Sequence, residues 1–186
     1  MPAAKIEARL REQTAFRLWF LERYHKETPP LVLDCSRGTG PVWHEIRRRN
    51  KFKTGGYWGI DRKASSRNLK AVAVLNQPGW DFDVVDLNAD RAPWDAWRAI
   101  CRHVSSPLTV FLSLDKSGQT LTEASAAFIG LSPIWHSIPN ECGKSPAIQD
   151  LIVRAALSPD GVRITEARQV RLAGGARDLG LRLEPR

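Results

Sequence analysis

Two hydrophobic periods alternate along this chain. Segments with apolar residues at helical spacing among charged ones are followed by short apolar runs rich in β-branched residues. The first pattern is typical of helices that bury one face, and the second of buried strands. Helices are predicted at 3–27, 41–53, 65–75, 94–104, 122–131 and 147–157. Strands are predicted at 31–33, 57–61, 81–85, 108–114, 162–172 and 179–183.

Proline and glycine mark the boundaries between these elements. Thr28-Pro29-Pro30 ends the first helix, since proline cannot continue a helix and disfavours the α conformation just before it. Pro41 suits the first turn of the second helix. Ala173-Gly174-Gly175-Ala176 separates the last two strands and predicts a hairpin.

The order of the elements predicts the fold class. Strands alternate with helices for most of the length and two antiparallel strands finish the chain, which is typical of an α/β fold with a mostly parallel central sheet and an antiparallel C-terminal hairpin. A length of 186 residues suits one compact domain. We therefore expect a single domain over 1–186, with an N-terminal helix at 1–27 and a substrate-side insert at 116–146.

The net charge of the chain indicates which kind of partner it binds. The formal net charge is +8 and the isoelectric point is about 9.9, which favours an anionic partner, and nucleic acid is the commonest. The alternative is a solvated basic surface, because cations also suit the end of a helix. The candidate phosphate contacts are Arg47, Arg48, Arg49, Lys51 and Lys53.

The sequence argues against a membrane protein, a secreted protein and a metal-binding protein. There is no apolar stretch of about eighteen residues, and the charged N-terminus does not resemble a secretory signal, so we expect no membrane association. The three cysteines are scattered, which predicts reduced thiols in a cytoplasmic protein. Neither the cysteines nor the four histidines have metal-ligand spacing, so no metal is predicted.

Acidic residues recur where the first four predicted strands end. They are Asp34, Asp61, Asp86 and Asp115. In an open α/β sheet, ligands bind beyond the carboxyl ends of the strands. After the first of these acids, Gly38 and Gly40 let the backbone turn and approach a ligand closely, because they lack a Cβ. A carboxylate after the second strand can accept hydrogen bonds from both ribose hydroxyls, and one after the third strand can accept a hydrogen bond from the amino group of adenine.

Here the residues resemble a known superfamily, the class I S-adenosylmethionine (SAM)-dependent methyltransferases. Their first motif commonly runs apolar-apolar-Asp-x-Gly-x-Gly-x-Gly, and this chain has Val32-Leu33-Asp34-Cys35-Ser36-Arg37-Gly38-Thr39-Gly40. Ser36 replaces the first glycine of that motif. The segment from Ala156 to Ile164 resembles the family's turn into its fifth strand. The resemblance implies a Rossmann-like fold and SAM as the cofactor. The implied cofactor-binding residues are Asp34, Cys35, Ser36, Gly38, Gly40, Asp61, Arg62, Asp86 and Leu87.

The catalytic motif of this superfamily is less apparent. Members that methylate amino groups of DNA carry Asn/Asp-Pro-Pro-Tyr/Phe after the fourth strand, whereas this chain has Leu114-Asp115-Lys116-Ser117-Gly118. Asp115, Lys116 and His136 are the candidate catalytic residues. Trp135, in a loop-like stretch on the presumed substrate side, is either a stacking platform for a base or a core residue.

Two functions follow from these observations. The first is a SAM-dependent methyltransferase that acts on nucleic acid. The second is a catalytically inactive protein of the same fold that binds nucleic acid or a protein partner, and the missing motif after the fourth strand favours it. Binding of SAM with or without methyl transfer discriminates between the two.

Overall fold

A computed structural model of the chain describes residues 3–35, 41–48, 52–60, 71–87, 93–114, 127 and 161–186. The helices are α1 (Ala3–Tyr24), α2 (Pro41–Arg48), α3 (Ala71–Leu75) and α4 (Pro93–His103). The strands are β1 (Leu31–Asp34), β2 (Gly56–Gly59), β3 (Val84–Leu87), β4 (Leu108–Leu114), β5 (Val162–Arg171) and β6 (Arg177–Pro185).

These strands form a single six-stranded sheet. Their order is β2-β1-β3-β4-β6-β5. The first four strands are parallel, and β6 pairs antiparallel with both β4 and β5. The predicted fold class, an α/β sheet that is mostly parallel with an antiparallel C-terminal hairpin, is therefore confirmed.

The sheet separates two buried clusters because successive side chains of a strand point to opposite faces. On one face, Val32, Val84 and Phe111 pack with α1 and α2. On the other, Val85 and Leu112 belong to a cluster that includes α4 and the end of α3. Strand β4 is buried on both faces, which explains its nearly continuous apolar sequence.

Several element boundaries differ from the predicted ones. The third strand covers Val84–Leu87 rather than 81–85, and the second covers Gly56–Gly59 rather than 57–61. Helix α1 ends at Tyr24, three residues earlier than predicted. The third strand continues through Asp86 because this acid has a buried partner, which is described below. The helices predicted at 122–131 and 147–157 and the loop at 132–145 lie outside the described residues, apart from Ala127, and so does the first part of the helix predicted at 65–75.

Helix α1 packs on one face of the sheet, over β3, β4 and β6. Phe20 is fully buried in an aromatic cluster, with its ring centroid 5.5 Å from that of Phe111 and 5.6 Å from that of Phe16. Beneath it lies Gly180 of β6, where a Cβ would collide with the Phe20 ring. The missing side chain lets the helix approach the sheet closely.

The end of α1 brings a buried histidine against the start of β4. Nε2 of His25 lies 3.0 Å from Oγ1 of Thr109, which also accepts a hydrogen bond from Nη1 of Arg182 at 3.0 Å. Burial, and after it the positive charge of Arg182, lowers the pKa of His25 from its usual 6.5 to about 4, against a smaller opposing effect of Asp83. This imidazole is therefore neutral in the folded protein near neutral pH.

The depressed pKa of His25 predicts a loss of stability in mild acid. The unfolded chain takes up this proton near pH 6.5 and the folded chain only near pH 4. The neutral imidazole of His25 therefore contributes fully to the free energy of unfolding above pH 6.5. This contribution, at most about 3 kcal/mol, is lost as the pH falls towards 4. Urea unfolding of wild type and His25→Gln across this range measures it. We expect a shallower pH dependence for His25→Gln, whereas His44→Gln, at an exposed position, should follow wild type. Parallel profiles for wild type and His25→Gln would contradict the prediction.

Candidate functional site

The strand order places a topological switch between β1 and β3. The chain leaves β1 through α2 to reach β2 on one side, and later enters β3 on the other side of β1. Connections that diverge in this way leave a crevice at the carboxyl ends of the two central strands, which is where open α/β sheets bind ligands. Asp34 and Asp86 are register partners at this edge.

Backbone hydrogen bonds join the strand ends at the switch. The amide of Cys35 donates to the carbonyl of Asp86 at 2.9 Å, and the amide of Ile60 donates to the carbonyl of Asp34 at 2.8 Å. The chain is thus held to its neighbours up to Cys35 on β1 and Ile60 after β2. The predicted glycine loop and the predicted ribose acid follow directly after these two points.

Asp34 lies where the sequence predicted it, at the last position of β1. Its side chain is 3% exposed, and Oδ2 accepts a hydrogen bond from the hydroxyl of Tyr57 at 2.7 Å. The neighbouring Cys35 is also buried, and burial, followed by the charges of Asp86 and Asp34, raises the pKa of its thiol well above the usual value. Cys35 is therefore a protonated thiol, which does not act as a nucleophile.

Asp86 is placed differently from the expectation. It lies inside β3 rather than after it, and β3 is a central strand next to β1. Its side chain is 1% exposed, and Oδ2 accepts a hydrogen bond from Nε1 of Trp43 at 2.8 Å. The adjacent Leu87 is fully buried in the core on the opposite face. Asp86 thus has a structural role in the protein, and its predicted contact with an adenine stays a prediction.

The principal partner of Asp86 is a buried arginine of α1. Arg17 donates from Nε to Oδ2 of Asp86 at 2.6 Å and from Nη2 to Oδ1 at 3.1 Å. Its Nη1 donates to Oδ2 of Asp178 at 2.7 Å. Burial by itself lowers the pKa of Arg17, but the charges and hydrogen bonds of the two carboxylates raise it above its usual value. The guanidinium therefore remains charged between them.

Asp178 completes this network on the hairpin. It is fully buried on β6 and accepts a hydrogen bond from Oγ of Ser113 at 2.7 Å and one from Nε2 of Gln13 at 3.2 Å. We call the three residues Asp86, Arg17 and Asp178 the charged triad. The triad connects α1 to β3 and β6, and Ser113 places it near the carboxyl end of β4. Two carboxylates share one guanidinium, so the group has a net formal charge of −1.

The charged triad was not identified from the sequence. In the pattern of α1, Arg17 resembles the many exposed charges around it, although the buried positions 13, 14, 17, 18, 20 and 21 follow helical spacing. The available signal for a buried arginine was that Arg17 lies on the same side of the helix as the apolar residues Leu18 and Phe20. Asp178 gave no comparable signal, because its burial depends on pairing between β4 and β6.

The remaining predicted site residues fall into two groups. Arg47, Arg48 and Lys53 are exposed, with the guanidinium of Arg47 4.9 Å above the ring of Tyr57 and Arg48 paired with Glu45 at 3.2 Å. The other predicted residues lie outside the described part of the chain. They are Ser36, Gly38, Gly40, Arg49, Lys51, Asp61, Arg62, Asp115, Lys116, Trp135 and His136.

Two further observations concern ligands and membranes. Within the described residues, no group of three or more His, Cys, Asp or Glu side chains is arranged to hold a metal ion. No helix in that same part of the chain is long and apolar enough to cross a membrane. Among its buried side-chain polar atoms, Oγ1 of Thr14 and Nε1 of Trp94 have no hydrogen-bond partner. Trp94 lies in the first turn of α4, the helix that follows β3, and a buried donor of this kind is commonly satisfied by a ligand or a water molecule.

Comparison with solved structures identifies the fold. A structure of Trm1 from Pyrococcus horikoshii in complex with S-adenosyl-L-methionine matches with a TM-score of 0.56 and 12% identity, over 96% of this chain and 55% of that one. The crystal structure of M. jannaschii TYW2 in complex with AdoMet matches with a TM-score of 0.52 and 10% identity, over 100% of this chain and 78% of that one. The chain therefore has the class I SAM-dependent methyltransferase fold, and it spans about half the length of the Trm1 chain. No model of a known protein family matches it, and no curated protein does.

Proposed function

We propose that this chain binds SAM in the crevice between β1 and β3 and transfers the methyl group to nucleic acid. The observation that carries the proposal is the position of Asp34 at the end of β1, at the topological switch of a methyltransferase fold. The Trm1 and TYW2 structures of this fold both contain SAM. When bound, SAM supplies a methyl group on a cationic sulfonium.

The chemistry of the described residues fits such a ligand. Among the described residues, Asp34 and the charged triad bring three carboxylates and one guanidinium to this edge of the sheet, and an acidic environment suits a cationic ligand. This acidic environment supports SAM rather than an anionic nucleotide at this position.

The proposed roles of the other residues follow the order of the strands. Ser36, Gly38 and Gly40 would line the cofactor with their backbone, together with Asp34 and Cys35. Asp61 would accept the ribose hydroxyls, with Arg62 beside it. The remaining proposed cofactor positions are Asp86 and Leu87. Because the Asp86 carboxylate is held by Arg17 and Trp43, its contribution includes fixing the edge of the crevice.

Nucleic acid is the proposed substrate because of the charge of the chain. The net charge of +8 includes Arg47, Arg48 and Lys53, which are all exposed. Such residues contact phosphates and position a nucleic acid without reading its sequence. Asp115, Lys116 and His136 would act on the methyl acceptor, with Trp135 as a platform for a base. Methyl transfer requires mainly that acceptor and donor are positioned, with one base to take up a proton. We place this activity in the cytoplasm.

One observation favours a second candidate function. Asp86 and Asp178 are both paired with Arg17 and serve the stability of the fold. A chain whose strand-end acids are structural can keep the fold without catalysis. The second candidate is therefore an inactive methyltransferase-fold protein that binds nucleic acid or a protein partner.

Calorimetric titration with SAM and with S-adenosylhomocysteine tests the cofactor site. We expect wild type to bind SAM and Asp61→Ala to bind it roughly 10- to 100-fold more weakly, since a hydrogen bond to a charged group contributes about 1.5–3 kcal/mol. Glu22→Ala, which removes an exposed acid of α1, should bind SAM like wild type. Absence of heat with wild-type protein would refute the cofactor site.

The same proteins distinguish catalysis from binding. With labelled SAM, an active methyltransferase incorporates the label into RNA or DNA, and Asp61→Ala reduces incorporation at limiting SAM. If wild type binds SAM and nucleic acid but transfers no methyl group to RNA, DNA or protein, the second candidate function replaces the first.

A further inference from the structure

We propose that an apolar pocket beside Trp58 binds a base of a single-stranded nucleic acid, at a distance from the SAM crevice. The inference rests on the proposed function, since it assigns part of the nucleic-acid contact to this pocket. It concerns a different part of the sheet from the crevice, and the two sites can be tested separately.

The pocket is built at the amino ends of β1 and β2 and from the segment before β3. It has a volume of about 630 Å³ and is lined by Leu31 and Gly56 at the start of β1 and β2, by Trp58, and by residues 77–82 before β3. This volume is within the roughly 300–1,000 Å³ of small-molecule sites. Cofactors of open α/β sheets bind at the carboxyl ends of the strands, so a ligand here would be additional to SAM.

An aromatic wall forms one side of this pocket. The ring of Phe82 contacts two indoles, 5.9 Å from Trp58 in an edge-to-face arrangement and 6.2 Å from Trp80 in a stacked one. Nε1 of Trp80 donates to the carbonyl of Leu75 at 3.1 Å, which fixes that indole. A preformed wall of this kind costs little conformational entropy when a planar ligand stacks on it.

The side chain of Trp58 is exposed to solvent and is free to stack on a ligand. It is 68% exposed on β2, the outermost strand at its side of the sheet, although the other described tryptophans are largely or partly buried. Among the described residues, the only other large hydrophobic side chain classed as exposed is Ile6 at 52%. An exposed tryptophan next to an apolar cavity is typical of a binding surface rather than of packing.

A nearby cation suits the phosphate of a nucleic acid as the occupant. Lys53 is exposed and precedes Gly56 of the pocket by three residues, so the two Cα atoms are within about 11 Å. A base stacked on Trp58 would thus leave its phosphate in reach of a cation. Stacking accepts every base, because every base has a π-face.

The polar groups of the pocket narrow the choice of base. Asp81 and Gln77 both line it and are both exposed. The carboxylate of Asp81 accepts hydrogen bonds only, so it would select a base whose exocyclic amino group can donate. We therefore expect adenine to be preferred over uracil, which has no amino group.

Fluorescence anisotropy with labelled oligoadenylate and oligouridylate RNA at constant salt tests this inference. We expect Trp58→Ala to bind oligoadenylate roughly 5- to 100-fold more weakly than wild type, as for the loss of one stacked base, and Trp58→Phe to retain most of the affinity. Ile6→Ala, the matched exposed apolar control, should bind like wild type. Asp81→Asn should reduce the preference for oligoadenylate over oligouridylate.

The outcomes separate this site from the cofactor site. Affinity for SAM should be equal in wild type and Trp58→Ala. If the protein does not bind SAM but Trp58→Ala still weakens RNA binding, the pocket is supported and the proposed function fails. Equal RNA affinities of wild type and Trp58→Ala would overturn the pocket. Dimers of wild type that Trp58→Ala disrupts, without an effect on RNA, would assign this surface to a second copy of the chain instead.

Discussion

Replacing Arg17 by methionine is expected to lower the free energy of unfolding by about 3–5 kcal/mol. The variant leaves the carboxylates of Asp86 and Asp178 buried without their shared counter-charge, and both side chains are at most 2% exposed. The loss would be a large part of the roughly 5–15 kcal/mol that stabilises a domain. Urea unfolding followed by circular dichroism measures it.

Two further variants identify the cause of this loss. Arg11→Ala removes an arginine of the same helix whose ion pair with Glu7 is about 70% exposed on both sides, and surface pairs of this kind contribute at most about 1 kcal/mol. Combining Arg17→Met with Asp86→Asn and Asp178→Asn removes the unpaired charges and should recover at least half of the lost stability. If Arg17→Met and Arg11→Ala have equal effects, the charged triad does not stabilise the fold.

Within the described residues, patterns in a single segment predicted the type and order of the elements correctly. The strand at 108–114 has the predicted bounds, because a strand buried on both faces is a continuous apolar run. The helix predicted at 94–104 is found at Pro93–His103, since its apolar residues recur at helical spacing and its buried side follows them. The C-terminal hairpin formed around the two predicted glycines, Gly174 and Gly175, and both have positive φ angles.

Features that depend on pairing between distant segments were not predicted. Reading Asp86 as the end of a strand is reasonable for a single sequence, because an isolated carboxylate is rarely buried. Its burial requires Arg17, which is 69 residues away along the chain. Strand order is equally non-local, since neither periodicity nor composition indicates that the third strand lies beside the first.

The candidate site shows the same division between local and non-local information. Asp34 was correctly placed at the end of the first strand, because an apolar run that stops at an acid and then glycines is a local signal. Its hydrogen bond from Tyr57 was not predicted, since it requires the register between β1 and β2. The SAM titration with Asp61→Ala tests the prediction for Asp61, and the roles of Asp115 and the glycines stay predictions.

Helix α1 is therefore part of the site rather than an appendage before it. Its residue Arg17 holds β3 and β6 at the edge of the crevice, while Phe20 of the same helix anchors it against β4. A loss of helix docking would expose the charged triad to water and release Asp86 next to Asp34. A variant that weakens the packing of α1 on the sheet should therefore also disorder the edge of the crevice.

Phe20→Ala tests how firmly α1 is docked and is expected to lower the free energy of unfolding by about 3–5 kcal/mol, the usual cost of truncating a buried phenylalanine. The side chain is fully buried among Phe16, Trp19 and Phe111, and Gly180 has no side chain that could fill the cavity.

Urea unfolding measures this loss, with Ile6→Ala as the control because it truncates an exposed residue of the same helix, where we expect a change within about 0.5 kcal/mol. A loss below about 1 kcal/mol for Phe20→Ala would mean that α1 is only loosely docked. In a double-mutant cycle, Phe20→Ala and Arg17→Met should couple, since each releases the same helix from the sheet. Strict additivity would instead show that the aromatic cluster and the charged triad hold α1 independently.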